Sequence, residues 1–565
     1  MQISRRDLFR STAAVAAGGI VLGRLGLADS AVAGTGPAAR RAPVTVLGST
    51  TRSTTLGRGA KGAGGYTKVA ARAGEKTVLR AGEVGAKAKS GRAARRTALI
   101  AFGQMSDVHI CDGESPNRVE NGDSFSSSAY RPNEGLGLHV AEAMVQQINA
   151  IGAGPVTKRP LDLVVQTGDN ADNAQYNEVR WNIDVLDGGL VRHDSGDPDQ
   201  YEGVMTSVSP AYYNPSYWHP EGQPEGQPVD GYRAKLGFPE VPGLLDAARR
   251  PFQATGLAVP WISALGNHDQ LIQGNESPTA SDLSIATGNR KTFIVGQTAK
   301  PVTADPDRRQ LSTQEIVEEH FNLVEGAPGP VGHGFTEENR TEGTGYYTFD
   351  HGDRVRFIVM DTVNHNGDDK GCLNQAEFAW IKKQLAASKD KLVIFASHHT
   401  SWTMTSTHLG DIDPGPRVNG KQLVKLLLKH DNVIAWVNGH THKNHIVAHP
   451  VVKKIKRRKK TVKKVVGGFW EINTASHIDW PQQARLIEVA DNRDGTLSIF
   501  TTMLDHGGPT EHSDLDSPLE LAALSRELTL NDPGKLDKPS TNDGRRGSAD
   551  ARNTELVLKA PAFLR

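Results

Sequence analysis

An α/β layered fold is what this sequence predicts, on three observations. Short β-rich apolar runs recur from about residue 99 onward. Each ends in a polar loop, most of them rich in Asp, Asn and His, and amphipathic stretches at helical spacing lie between several of them. Strands alternating with helices stack into layers, and ligands in such folds collect at the strand ends.

The elements follow in chain order. Leu99-Ile100-Ala101-Phe102 reads as a buried strand delivering Asp107-Val108-His109. Leu161–Val165 leads into Gly168-Asp169-Asn170-Ala171-Asp172, and Val259–Leu265 into Gly266-Asn267-His268-Asp269. Val355–Met360 runs to Asp361, Leu392–Ala396 to Ser397-His398-His399, and Val433–Val437 to Gly439-His440-Thr441-His442. Helices are expected at about 136–150, 374–387 and 419–430; in the second, Phe378, Ile381 and Leu385 share one face. A strand within Gly467–Ser476 is expected to begin a second sheet with Gln483–Val489 and Thr496–Thr502.

Around this core domain, residues 98–508, the chain carries additions. At the N-terminus, Ser4-Arg5-Arg6-Asp7-Leu8-Phe9-Arg10 precedes a weakly apolar run and an Ala31-Val32-Ala33 exit. Residues 1–33 thus resemble a twin-arginine export signal. That implies a partner in the twin-arginine export machinery and a periplasmic, cell-wall or extracellular address. The mature chain is expected to be soluble, with no transmembrane helix. Residues 34–97 form a basic Gly/Ala-rich extension in which Lys76–Arg80 suits an edge strand.

Insertions at about 190–258 and 275–345 read as lids or substrate walls, with surface decoration as the alternative. The first holds Tyr212, Tyr213, Tyr217 and Trp218, suited to stacking a ligand or to loop packing. The second holds one expected helix near 313–323. A hairpin over 447–469 flanks the basic run Lys453–Lys460, read as a solvated loop, with contact to an anionic polymer as the alternative. Residues 509–565 read as a helix near 517–528 and a polar tail.

Bulk properties narrow the function classes. In 565 residues, 37% hydrophobic content supplies ample core, and a net charge of +1 argues against a dedicated nucleic-acid binder. Two cysteines, Cys111 and Cys372, exclude a disulfide framework and a cysteine-based zinc site, and leave one bridge open.

The loops carry the chemistry. Two cations about 3.5–4 Å apart can clamp the attacking and leaving oxygens of a phosphoryl group. Such a pair needs a bridging carboxylate and N/O donors around each ion. Asp107 with His109, and His440 with His442, stand two apart, a spacing that on a strand end turns both side chains one way. Gly168 frees the backbone to aim Asp169, Asn267 is a neutral oxygen donor, and His398 completes the set.

This ordered series (D-x-H, G-D-x-x-D, G-N-H-D, a His after a strand, G-H-x-H) resembles the calcineurin-like metallophosphoesterase superfamily. The likeness covers about residues 99–445. It implies a four-layer α/β/β/α sandwich of two mixed sheets flanked by helices. It implies two divalent or trivalent ions, Fe, Zn or Mn. Asp107, His109 and His442 would hold the first with Asp169, which bridges to a second held by Asn267, His398 and His440. His268 would stabilise the transition state or protonate the leaving oxygen, and Asp269 would orient it. A metal-bound hydroxide would attack phosphorus in line, making the chain a phosphoric ester hydrolase acting on a mono- or diester. Asp172 stands where the purple acid phosphatases of this superfamily place a metal-binding Tyr, which argues against that branch. The rival class is a non-catalytic exported metal-containing binding protein on the same scaffold.

Overall fold

The computed structural model describes residues 46–124, 128–294, 296–457, 460–532 and 544–564, which lie in the unit Pro43–Arg565. The expected export segment falls outside the described residues. Among those described, no helix is long and apolar enough to cross a membrane.

Two large mixed sheets organise the chain. Their strands are β1 (Val78–Arg80), β2 (Thr97–Met105), β3 (Leu163–Thr167), β4 (Trp261–Ala264), β5 (Tyr347–His351), β6 (Val355–Val359) and β7 (Leu392–Ala396). Then come β8 (Val433–Asn438), β9 (His445–Arg457), β10 (Lys460–Asn473), β11 (Gln483–Asp491), β12 (Thr496–Asp505) and β13 (Thr554–Lys559). The seven-stranded sheet runs β1-β13-β12-β11-β2-β3-β4, with β2, β3 and β4 parallel. The six-stranded sheet runs β5-β6-β7-β8-β10-β9, with β6, β7, β8 and β10 parallel.

Helices flank the sheets, α1 (Gly137–Ile151), α2 (Tyr176–Asp187), α4 (Thr313–His320), α5 (Gln375–Ala387), α6 (Gly420–Leu427) and α7 (Pro518–Asn531), while the single turn α3 (Asn267–Gln270) lies in the loop after β4. Strand alternation sorts the core into layers. Leu392, Ile394 and Ala396 of β7 share a core with Phe102 and Val164 of the other sheet, and Phe102 meets Phe357 edge-on at 5.4 Å. The alternate residues Val393 and Phe395 pack against Ile381 and Leu385 of α5 and Leu423 and Leu427 of α6. Both faces of the central strands are therefore covered, which is why they read as unbroken apolar runs. The four-layer α/β/β/α expectation holds.

Side-chain caps set where helices begin. Asn374 accepts from Glu377 N at the start of α5, Asn419 does so for α6, and Ser517 with Pro518 opens α7.

Several expectations change. The strand within Gly467–Ser476 does not join Gln483–Val489 and Thr496–Thr502. It is the end of β10, parallel to β8, whereas β11 and β12 extend the other sheet antiparallel to β2. Both sheets present apolar faces to the same core, so hydrophobic pattern cannot tell which one a strand enters. Within the expected polar tail, Thr554–Lys559 forms β13, which pairs with both β12 and β1. In the first insertion, Tyr213, Tyr217 and Trp218 are buried. Tyr217 and Trp218 pack with Tyr130, Tyr232 and Phe238, and the Trp218 indole N–H donates to the Pro239 carbonyl at 3.0 Å. These rings are loop packing. Cys111 and Cys372 are free and buried, with burial pushing the Cys372 thiol up to about 12.

Candidate metal centre

All five motif loops leave the C-terminal ends of parallel strands. Those after β2, β3 and β4 come from one sheet, and those after β7 and β8 from the other. The sheets face each other, so the loops converge at one end of the sandwich. The Gln104 side chain fastens the sheets there, donating to the Asn438 carbonyl at 3.0 Å and accepting from Thr474 Oγ1 at 2.7 Å.

The expected two-apart geometry has a different origin from strand alternation. Asp107 and His109 lie past the end of β2, and both take left-handed backbone, with φ of 51° and 50°. Asp169, His440 and His442 do the same, with φ of 52°, 70° and 52°. Such conformations cost roughly 1–3 kcal/mol each in non-glycine residues and collect where function demands them. Close packing lets them persist. A Cβ on Gly168 would meet the His398 Cβ at 2.7 Å, and one on Gly439 would collide with Ser106 and Asp107. The loops therefore touch backbone to side chain, with no room to relax.

The predicted ligands come together. Asp107, His109, Asp169 and His442 each offer a ligand atom, and these lie within 4.8 Å of one another. Asp169 Oδ2 sits 3.6 Å from His109 Nε2 and 3.0 Å from His398 Nε2, between the two groups of imidazoles. His398 Nε2 is 3.2 Å from His440 Nδ1. Asn267 Nδ2 donates to the Gly274 carbonyl at 3.0 Å, and its buried Oδ1 has no partner among the described residues.

The tautomers follow from the partners. His109 Nδ1 bonds Asp172 Oδ1 at 2.7 Å, and His442 Nδ1 bonds Asp479 Oδ2 at 2.6 Å. Each Nδ1–H is thus donated to a carboxylate, and the two Nε2 lone pairs face each other at 3.3 Å. Opposed lone pairs do not form a hydrogen bond, whereas a cation between or beside them removes the repulsion. With the orphaned Asn267 oxygen and the hard–borderline donor set of Asp, Asn and His, the residues fit a pair of metal ions.

Burial and charge set the protonation of these side chains. Burial, reinforced by His268, lowers His109 to about 4, and burial lowers His442 to about 4 against the pull of Asp107. Burial and His398 hold His440 well below its usual value. His398 is raised to about 9, because Asp169 outweighs burial. Asp169 itself is held well below the carboxylate range by His398 and His268 despite full burial.

His268 stands over the same space. Its backbone N–H donates to Asp169 Oδ1 at 2.8 Å, and its Nδ1 donates to the Asp172 carbonyl at 2.8 Å. Burial disfavours the imidazolium, yet Asp169 and Asp172 raise it to about 9.

Asp269 does not orient this ring. Its carboxylate accepts from the backbone N–H groups of Gly266, Asn170 and Ala171 at 2.7, 2.8 and 2.8 Å. It ties the Gly266 loop to the Gly168 loop, and Asp172 takes the expected orienting role. The reason is local: Asp269 is the third residue of α3, where its carboxylate folds back onto the helix N-terminus.

His399 lies close enough to His398 and His440 to share an ion. Its Nε2 donates to the Asp369 carbonyl at 3.2 Å and its Nδ1 accepts from Thr362 Oγ1 at 2.9 Å, so it has no lone pair to offer. Asp361 accepts from Gln270 at 3.1 Å and pairs with His365 at 3.1 Å, bracing α3 from behind.

Sequence reasoning missed the groups behind the imidazoles. Arg118 binds Asp172 and, at 3.0 Å, Glu134; Arg131 binds Asp479 at 3.0 Å, and Arg545 closes on the same carboxylate. Asp172 carried a signal, since it belongs to a motif. Asp479 and the three arginines carried none, standing in loops without periodicity.

A family model and three known proteins resemble this chain in part. Residues 241–444 match the family model for calcineurin-like phosphoesterases, a span that includes the loops after β4, β7 and β8. A stretch of 101 residues, 16% of this chain, is 39% identical to tartrate-resistant acid phosphatase type 5 of Sus scrofa. The match spans 27% of that relative. Among solved structures, a dimetal phosphatase from Danio rerio aligns at 12% identity and a TM-score of 0.31, covering 73% of this chain and all of that one. The calcineurin-like phosphoesterase YfkN from Bacillus subtilis aligns at 11% identity and a TM-score of 0.27, covering 77% and 98%. The family match over residues 241–444 and the donor cluster support a metal-dependent phosphoesterase.

Proposed function

We propose that this protein hydrolyses phosphoester bonds with two metal ions held by Asp107, His109, Asp169 and His442 on one side and Asp169, Asn267, His398 and His440 on the other. The observation that carries the reading is the position of Asp169, whose Oδ2 lies within 3.6 Å of His109 Nε2 and 3.0 Å of His398 Nε2. When bound, the ions supply Lewis acidity toward water and toward the phosphoryl oxygens.

The chain's own contribution is placement and proton control. His268 is fixed at Nδ1 by the Asp172 carbonyl and its protonated form is favoured by Asp172, so its Nε2–H is the group available to a leaving oxygen. Asp172 and Asp479 hold His109 and His442 in the tautomer that turns Nε2 inward. Asp269 keeps two of the loops in register.

Metal-quantified protein assayed on aryl phosphate mono- and diesters tests this. Turnover is expected, and His268→Ala or Asp169→Asn is expected to lower kcat by about a hundredfold or more in folded protein. Full metal occupancy without turnover on either ester class would instead favour a binding protein. We also propose export by the twin-arginine route, supported by Arg5 and Arg6 ahead of Ala31-Val32-Ala33. Replacing both arginines with lysine should leave the precursor inside the cell.

A further inference from the structure

The arm formed by β9 and β10 points away from the metal centre. β10 runs parallel to β8 with Asn473 beside Asn438, just before the Gly439 loop. Lys463 and Lys464 lie nine to ten residues earlier on β10, roughly 30 Å back along the strand. Past the irregularity at Val451 and Val452, the two strands pair only with each other. The basic segment is therefore a projecting ribbon rather than a loop at a hairpin tip, and it is no lid for the site.

Its composition works against its own stability. Residues 453–464 contain nine Lys or Arg and no acid. Lys453 stands opposite Lys464, and Lys454 opposite Lys463, and like charges directly opposite destabilise a ladder. All four are exposed, and among the described residues none forms an ion pair. Rows of aliphatic residues alternate with these lysines. Val452 pairs with Val465 and Ile455 with Val462, and Val452 and Val462 are 50% and 47% exposed. Strand alternation gives each face one lysine pair beside one aliphatic pair.

We propose that this ribbon docks the protein on a bilayer containing anionic phospholipid. The lysines meet headgroup phosphates, and Val462 with Ile455 rests at the acyl boundary. A phosphate-lined nucleic-acid groove would use the charge but leave the aliphatic rows without a role. The segment between Val451 and Val466 also has no aromatic ring to stack on a base and no Asn or Gln to read one.

Full-length protein co-sedimented with phosphatidylcholine vesicles, with and without 30 mol% phosphatidylglycerol, tests the proposal (composition of about 30% chosen to give a strongly negative surface). Binding is expected to the anionic vesicles alone and to weaken as salt rises. Lys453→Ser with Lys454→Ser, Lys463→Ser and Lys464→Ser should reduce partitioning by roughly six hundredfold, at about fivefold per lysine removed. Hydrolysis of a soluble aryl phosphate should be unchanged, because the ribbon is remote from the site. Val462→Ser should weaken vesicle binding a few-fold and leave any binding to duplex DNA or inorganic polyphosphate untouched. Equal sedimentation with neutral vesicles would overturn the proposal, and so would an undiminished fourfold lysine variant. Tighter binding to DNA or polyphosphate than to vesicles, indifferent to Val462→Ser, would overturn it as well. If the fourfold variant fails to fold, the vesicle selectivity of the unmodified protein and the Val462→Ser result still decide.

Discussion

The two imidazole pairs of the centre are built on different principles. His109 and His442 are each fastened at Nδ1 by a carboxylate, and each carboxylate is held in turn by arginine. His398 is fastened by the Thr167 backbone carbonyl at 3.0 Å, and its partner His440 meets the His398 ring through Nδ1 at 3.2 Å. Carboxylate backing raises ligand basicity and fixes ring direction, whereas a backbone carbonyl fixes direction with less charge. The first half of the centre is thus neutral at its inward nitrogens and ready for an ion. In the second half, Asp169 raises His398 to about 9 against burial. Under the proposed assignment, a neutral imidazole pair therefore stands beside one in which a proton on His398 competes with an ion.

Breaking the backing of the first half tests this most strongly. Asp172→Asn removes the partner of His109 and of His268 and leaves Arg118 buried beside a neutral amide. The first ion should bind roughly a hundredfold more weakly, at the upper end for such outer contacts, in calorimetric titration of metal-free protein. Proton competition should sharpen the contrast. His398 lies at about 9 and must lose its Nε2 proton to bind an ion. Each pH unit lost below that value should cost the second ion about tenfold in affinity. His109 and His442, at about 4, are already neutral, so the first ion's affinity should stay flat from pH 8 to pH 5. Titrations at several pH values distinguish the two sites, and equal slopes would erase the distinction. The smallest effect belongs to Asp479→Asn, at about tenfold on the first ion, because Asp479 backs His442 alone whereas Asp172 backs both His109 and His268.

Much of the framework was legible in the chain because its signals are local. The runs Leu392–Ala396 and Val433–Val437 announce strands buried on both sides, and each ligand motif sits directly behind such a run. What stayed hidden depends on pairing across distance. Arg118 meets Asp172 across 54 residues, and Arg131 meets Asp479 across 348. The sheet that β10 enters and the strand at Thr554–Lys559 are likewise decided by which neighbour leaves an edge open, a property of the assembled molecule. Asp269 was misread because its motif fixes identity, not the direction in which a carboxylate at the third position of a one-turn helix folds.

The seven-stranded sheet joins distant parts of the chain: β1 at Val78–Arg80 lies beside β13 at Thr554–Lys559, and β2 lies beside β11. During synthesis, β2, β3 and β4 emerge hundreds of residues before the partner that covers the flank of β2. Loop closure over such spans is slow, and an uncovered edge invites pairing with another chain. Assembly of the metal-binding end therefore waits for almost the whole polypeptide. Nascent chains of this protein are a natural client for whatever shields unpaired strands.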